Sequence, residues 1–190
     1  MKRVEIHVVG TDLYVVLGKN LINSNCSVIA HQTNCLGIMG SGVAVAIKNT
    51  YPEVFTLYHD LCKRTNPLGT TQLVEVGPEG GKQRFIANVF GQYSIGREKQ
   101  QTDYDALKRA LTDLRTQMEE KNLNSVAFPV YMGAARGGGN WAFILAMIME
   151  IFKCSGISIE LDAYWGKDAQ EHYEETVQIL QRAHDLSVDP

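Results

Sequence analysis

The fold turns on Ser27-Val28-Ile29-Ala30-His31-Gln32-Thr33-Asn34-Cys35-Leu36-Gly37-Ile38-Met39-Gly40-Ser41-Gly42-Val43. Its apolar start, 27–32, reads as a buried strand. A glycine-rich loop, 34–42, follows, and 43–49 has helical character. The same order recurs downstream. Residues 125–131 read as a strand, Met132-Gly133-Ala134-Ala135-Arg136-Gly137-Gly138-Gly139 as a second glycine loop, and Asn140 as the cap of an apolar helix over 141–152. Strand, glycine loop, helix is the order in which open α/β sheets present ligand sites beyond the carboxyl ends of their strands.

The rest of the chain fits around these two units. Residues 4–9 and 13–17 are short β-rich runs about Gly10-Thr11-Asp12, which predicts a hairpin. Pro52 opens a helix with Val54, Phe55, Tyr58 and Leu61 on one face. Residues 70–76 and 83–90 read as strands about a Gly-Pro-Glu-Gly-Gly turn. Residues 103–121 carry an amphipathic stripe of Ala106, Leu107, Ala110, Leu111, Leu114 and Met118. A last strand, 157–164, and a last helix, 168–185, complete the pattern. Strands alternating with helices predict an α/β sheet covered on both faces. We expect one domain over 1–190, with its core over about 4–165 and the last helix packed on it.

The chain has 190 residues, 45% hydrophobic and 21% charged, so a disordered or fibrous protein is excluded. A formal net charge of −3 argues against broad electrostatic capture of nucleic acid. The longest apolar run, 141–152, is too short to span a bilayer, and no signal peptide is expected at the N-terminus. Cys26, Cys35, Cys62 and Cys154 form no Cys-x-x-Cys pair. Free thiols in a reducing cytosol, hence a cytoplasmic protein, are the expectation. No spacing calls for a metal or a cofactor.

Neither glycine loop carries the Gly-Lys-Ser/Thr of a P-loop or the order of the dinucleotide fingerprint. Both still suit an anion. Glycine lets the backbone approach closely, and the helix behind each loop adds its positive end. Two loops at one sheet edge suit a diphosphate, which takes donors from both sides.

Taken together, these segments resemble the macrodomain family, an ADP-ribose-binding three-layer α/β/α fold with a central mixed β-sheet. Gly18-Lys19-Asn20-Leu21 is similar to the family's Gly-Asp/Asn-Leu/Ile element, with Lys19 inserted. Ile29-Ala30-His31-Gln32-Thr33-Asn34-Cys35 resembles the strand entering the catalytic loop, and Met39-Gly40-Ser41-Gly42-Val43-Ala44 resembles that loop. Phe128-Pro129, the glycines of 133–138 and Trp141 resemble the strand and diphosphate loop that close the site. The likeness runs from about 15 to 164. It is nearest to a divergent branch holding the yeast-type ADP-ribose 1″-phosphate phosphatase, the terminal ADP-ribose–protein glycohydrolase and antitoxins that remove ADP-ribose from DNA. Asn88-Val89-Phe90, then Gly96-Arg97-Glu98-Lys99-Gln100, is similar to the phosphatase. The glycohydrolase and the antitoxins place a catalytic lysine soon after the strand of 85–90, where this chain has Gln92. The glycohydrolase has an aspartate in the second loop, where this chain has Arg136-Gly137.

The resemblance implies a role for each residue. Asn20, with the Leu21 backbone, would meet the adenine edge; a capping asparagine is the plainer reading. Asn34 would hold the distal ribose. His31 would be the general acid/base, against the alternative of a hydrogen-bonded core histidine. Gly40, Ser41, Gly42 and Val43 would give amides to the phosphates, and Gly133, Ala134, Ala135, Arg136, Gly137 and Gly138 the opposite set. Tyr131 would stack near the distal ribose or else lie in the core. Gln92 is a further candidate for positioning water or substrate. The implied activity is hydrolysis of the terminal phosphate of ADP-ribose 1″-phosphate. The alternatives are a non-catalytic binder of ADP-ribose groups and a glycohydrolase acting on ADP-ribosylated protein or nucleic acid. The expected partner is a small-molecule ligand, with ADP-ribosylated macromolecules as a further class and no membrane.

Overall fold

Successive side chains of a strand point to opposite faces of the sheet, and residues 28–30 and 126–128 are apolar and buried on both. A computed structural model describes residues 2–8, 10–79, 82–164 and 168–188. β1 (Lys2–Val8) and β2 (Thr11–Leu17) pair antiparallel with Val8 opposite Thr11, the hairpin the Gly10 turn predicts. After a 3-10 turn at Leu21–Asn23 come β3 (Val28–Gln32), α1 (Val43–Thr50), α2 (Pro52–Arg64), β4 (Thr71–Glu79) and β5 (Lys82–Val89). Then follow α3 (Tyr104–Glu120), β6 (Ser125–Pro129), α4 (Trp141–Phe152), β7 (Ser158–Ala163) and α5 (Ala169–Val188). The seven strands form one mixed sheet in the order β1-β2-β7-β6-β3-β5-β4. The two edge pairs are antiparallel and the central pairs parallel.

Val28 and Ala30 of β3, with Ile159 and Leu161 of β7, join a core that includes Leu107, Leu111, Ile144 and Leu180. Ile29, on the opposite face, packs with Leu21, Ile47 and Val54. Helices α3, α4 and α5 therefore cover one face and α1 and α2 the other, which makes three layers. α5 lies on β1, β2 and β7. The caps follow the sequence: Asp103 accepts from Ala106 N at the start of α3, and Asn140 from Phe143 N at the start of α4.

Several boundaries differ from the sequence reading, among them that of β4, which runs to Glu79 and takes in Gly77, Pro78 and Glu79 of the expected turn, whose Gly80 and Gly81 lie outside the described residues. The strand expected over 125–131 ends at Pro129, because Tyr131 takes a left-handed φ of 63° that no strand accommodates. Beyond α4 the first left-handed residue is Cys154 (φ 55°), two positions ahead of Gly156. α5 runs on to Val188. The apolar run 141–152 is α4, a core helix, and among the described residues no helix is long and apolar enough to cross a membrane.

Candidate functional site

β3 and β6 are parallel neighbours at the centre of the sheet. From β3 the chain passes to α1 and α2 on one face, and from β6 to α4 on the other. The two glycine loops thus leave one sheet edge in opposite directions, the arrangement in which open α/β sheets form a ligand crevice.

Asn34 organises the first loop. Its Oδ1 accepts from Leu36 N (3.0 Å) and Ile38 N (3.3 Å), and its Nδ2 donates to Ile38 O (2.7 Å). The Tyr58 hydroxyl lies 2.8 Å from Asn34 O and 3.0 Å from Oδ1. Asn34 is 7% exposed, so this amide is committed to its own loop. Met39 tucks under the loop against Cys35, Tyr58 and Phe90, while Gly40 and Ser41 stay exposed. Gly42 takes a φ of 59° and enters α1 without a side-chain cap. Burial pushes the Cys35 thiol up to about 12, with Cys62 adding to the shift, so at neutral pH it is an uncharged packing group.

His31 is 2% exposed at the top of β3. Its Nε2 lies 2.8 Å from Asn88 Oδ1 on β5, and Asn88 Nδ2 donates to Gln72 Oε1 on β4 at 3.0 Å. With Asn88 donating outward to Gln72, its Oδ1 is left to accept, so His31 carries its proton on Nε2 and a lone pair on Nδ1. Burial lowers the His31 pKa to about 4, and the Asn88 bond opposes only part of that shift. The imidazole is neutral across the physiological range.

The second loop is knitted to the segment 91–102. Gln32 Nε2 donates to Gln92 Oε1 (2.7 Å) and Thr102 Oγ1 (2.9 Å), and Thr102 Oγ1 donates to Gly133 O (2.6 Å). The amides of Gln101 and Thr102 both donate to Gly137 O. Within the loop, Ala134 and Ala135 donate to Tyr131 O, Gly138 to Ala134 O and Gly139 to Gly133 O. Arg136 and Ala135 are exposed at the tip. Gly137 tolerates no side chain, because a Cβ there would collide with Thr102 Oγ1 and Gly133 O.

Tyr131 does not face the crevice floor. Its ring stacks on His172 (centroids 3.8 Å apart) and on Trp141 (5.6 Å), and its hydroxyl bonds Glu175. The sequence reading left stacking near the ribose or a place in the core. The structure packs the half-buried ring against the core, beside Trp141, and also clasps it to α5.

Asn20 caps the 3-10 turn, its Oδ1 accepting from Ile22 N at 3.2 Å. Leu21 is buried beside it. The inserted Lys19 reaches Glu160 on β7 at 2.7 Å, and Ser24 Oγ donates to the same carboxylate at 2.6 Å. A cleft of about 550 Å³ opens here, with Lys19, Asn20, Asn23 and Glu160 in its lining. The site thus falls into two clusters: His31, Asn34, Gln92 and the two loops at the centre, and Asn20 and Leu21 toward β2. Sequence reasoning quoted Gln32 and Lys19 without giving either a role, and passed over Thr102, Glu160 and Asp162. Glu160 and Asp162 did leave a signal, as two acids inside an otherwise apolar strand.

The Macro domain family model matches residues 30–144, which hold both glycine loops. A DNA ADP-ribosyl glycohydrolase of Mycobacterium tuberculosis is 30% identical over 135 residues, 70% of this chain and 37% of that protein. An ADP-ribose 1″-phosphate phosphatase of Meyerozyma guilliermondii is 32% identical over 111 residues, 52% of this chain and 63% of that protein. The chain therefore matches only about a third of the length of the first relative and under two thirds of the second. The macrodomain of Mycobacterium tuberculosis DarG superposes with a TM-score of 0.68 at 25% identity, covering 78% of this chain and 96% of that one. The mixed seven-stranded sheet, the paired glycine loops at its centre and these matches agree, and the chain belongs to the Macro domain family.

Proposed function

We propose that the protein binds ADP-ribose groups across the two loops and hydrolyses the terminal phosphate of ADP-ribose 1″-phosphate. The observation that carries this reading is His31, a neutral imidazole fixed by Asn88 beside the first glycine loop. In the reaction a water oxygen forms a bond to phosphorus as the bond from phosphorus to the 1″ oxygen breaks, and the proton that the water gives up ends on the 1″ oxygen, releasing ADP-ribose and inorganic phosphate. His31 Nδ1 accepts that proton through a bridging water, since so buried a ring does not meet the phosphate itself. The amides of Gly40, Ser41, Gly42 and Val43 face the phosphates from one side. Arg136 and the amides of Gly133 and Gly137 face them from the other and stabilise the charge that grows on the transferring group. Ala134, Ala135 and Gly138 shape the second loop through their own hydrogen bonds. Asn34 holds the first loop in register beneath the distal ribose, and Gln92 orients water through its link to Gln32.

A second reading, removal of ADP-ribose from DNA, has in its favour the 30% identity with a protein named for that activity. Gln92 stands against it, because an amide supplies no charge where those enzymes are expected to use lysine.

A phosphorus NMR time course with purified protein, ADP-ribose 1″-phosphate and no added metal tests the choice. Conversion of the monoester signal to inorganic phosphate supports the phosphatase. Shifted signals that never convert would move the reading to a binder, and release of ADP-ribose from modified DNA would move it to the glycohydrolase.

A further inference from the structure

Asp162 is a charged residue type placed where charge is hardest to hold. It is 1% exposed on β7, and neither carboxyl oxygen has a hydrogen-bond donor among the described residues. Its register neighbours, Val16 on β2 and Pro129 on β6, offer no charge. The groups that face it are Glu160, two positions back on the same face of β7, Lys19 from the turn after β2, and Cys26 from the segment ahead of β3. Tyr14 of β2 lies opposite Glu160 in register. Arg84 of β5 is directed to the carbonyls of Ile22 and Ser24.

Lys19 and Ser24 both serve Glu160. One ammonium therefore stands against two carboxyl groups. If both were ionised, the cluster would hold an uncompensated buried negative charge, which is costly in a low-dielectric interior. One proton on the pair removes that charge and gives Asp162 a donor hydrogen to place on Glu160, which accounts for its lack of any other partner. Burial first, and the Glu160 charge second, raise the Asp162 pKa to about 8.

We propose that Glu160 and Asp162 act as one acid pair carrying a single proton, and that the pair, through Lys19 and Ser24, positions the Asn20–Leu21 turn at the purine end of the crevice. Asp162 touches no ligand and is a positioning residue. The inserted Lys19 gains a purpose, since it ties the turn to the pair. Loss of the proton sets a second carboxylate competing for Lys19 and shifts the turn. The positioning role rests on the ADP-ribose-binding reading; the shared proton does not.

Two measurements on the whole chain separate these parts. In carbon NMR of carboxyl-labelled protein without ligand, one carboxyl of the pair should titrate near pH 8 instead of near 4. ADP-ribose affinity by calorimetry should hold between pH 6 and 7 and weaken about threefold or more by pH 9. Asp162→Asn, neutral at every pH, should keep the low-pH affinity and lose the fall. Its melting temperature should exceed that of the wild type at pH 8 and match it more closely at pH 4. If Asp162→Asn does not fold, Glu160→Gln serves: it removes the Glu160 charge but not the burial, so the Asp162 inflection should fall below pH 8 without reaching the ordinary range near 4. Normal carboxyl titrations near pH 4, or an affinity fall unchanged in these variants, would overturn the proposal. Failure of ADP-ribose to bind at any pH would remove the purine-end role and the binding reading together, while the ligand-free titration would still report on the shared proton.

Discussion

Tyr131 lies flat on His172, ring centroids 3.8 Å apart at an interplanar angle of 19°, and so fastens the root of the second glycine loop to α5. The backbone holds a left-handed φ of 63° at Tyr131, a conformation a bulky residue keeps only when its surroundings fix it. His172→Ala removes the stacking partner. It should cost about 1 kcal/mol and lower the melting temperature by roughly 2–4 °C. ADP-ribose affinity should fall as well, because the loop loses its anchor. Differential scanning calorimetry and a ligand titration on one preparation check this. A variant with unchanged stability and affinity would show that the stack does not anchor the loop.

Asn34 binds its loop at three points and shares the Tyr58 hydroxyl. Asn34→Ala leaves Leu36 and Ile38 amides and a buried hydroxyl without that partner, a loss of roughly 2–4 kcal/mol. Turnover of ADP-ribose 1″-phosphate should fall more steeply than stability, because the Gly40–Gly42 amides lose their register. Urea denaturation beside the phosphorus NMR assay separates the two effects.

The pH dependence of His31 has a definite sign. Its folded-state pKa of about 4 lies below the ordinary 6.5, so the unfolded chain binds the proton more readily. The stability tied to neutral His31 is fully present above pH 6.5 and is lost as pH falls from 6.5 to 4, by roughly 3 kcal/mol at most. His31→Gln should flatten that slope in urea midpoints measured across the window. Phosphatase activity, if it uses Nδ1 as acceptor, should show no acid limb near pH 6.5 and should be abolished by the same substitution with ADP-ribose binding largely kept.

Gly137→Ala tests the joint between the second loop and Thr102. The added methyl has no room against Thr102 Oγ1 and Gly133 O, so the loop must shift. The expected cost is about 1–3 kcal/mol, with ADP-ribose affinity down at least tenfold. Thr102→Ser keeps the hydroxyl that bonds Gly133 O and should stay near wild type in both measurements.

Arg136 is exposed, and the contribution proposed for it is to a bound anion. Arg136→Ala should leave the melting temperature unchanged and weaken ADP-ribose 1″-phosphate about tenfold, the scale of one charge-assisted hydrogen bond. Equal affinity in the two proteins, read by calorimetry, would remove Arg136 from the phosphate contacts.

Much of the architecture is written in local signals. The apolar stripe of α3, the caps Asp103 and Asn140, Pro52 at the head of α2 and the glycines of both loops each act within one turn of the chain, so a single sequence determines them. Two strand–glycine–helix units, read that way, place both loops at one edge of the sheet, and the strand order sets them at its centre. Tertiary structure decided what each polar group at the crevice is spent on. Asn34 turns back on its own loop, Tyr131 turns to α5, and His31 is neutral because Asn88 and burial hold it so. Lys19 meets Glu160 across 141 positions of sequence, and the pairing exists only because β2 and β7 are neighbours in the sheet. A side chain's direction and charge state are set by the groups the fold brings against it from far along the chain, and periodicity and spacing carry no record of those partners.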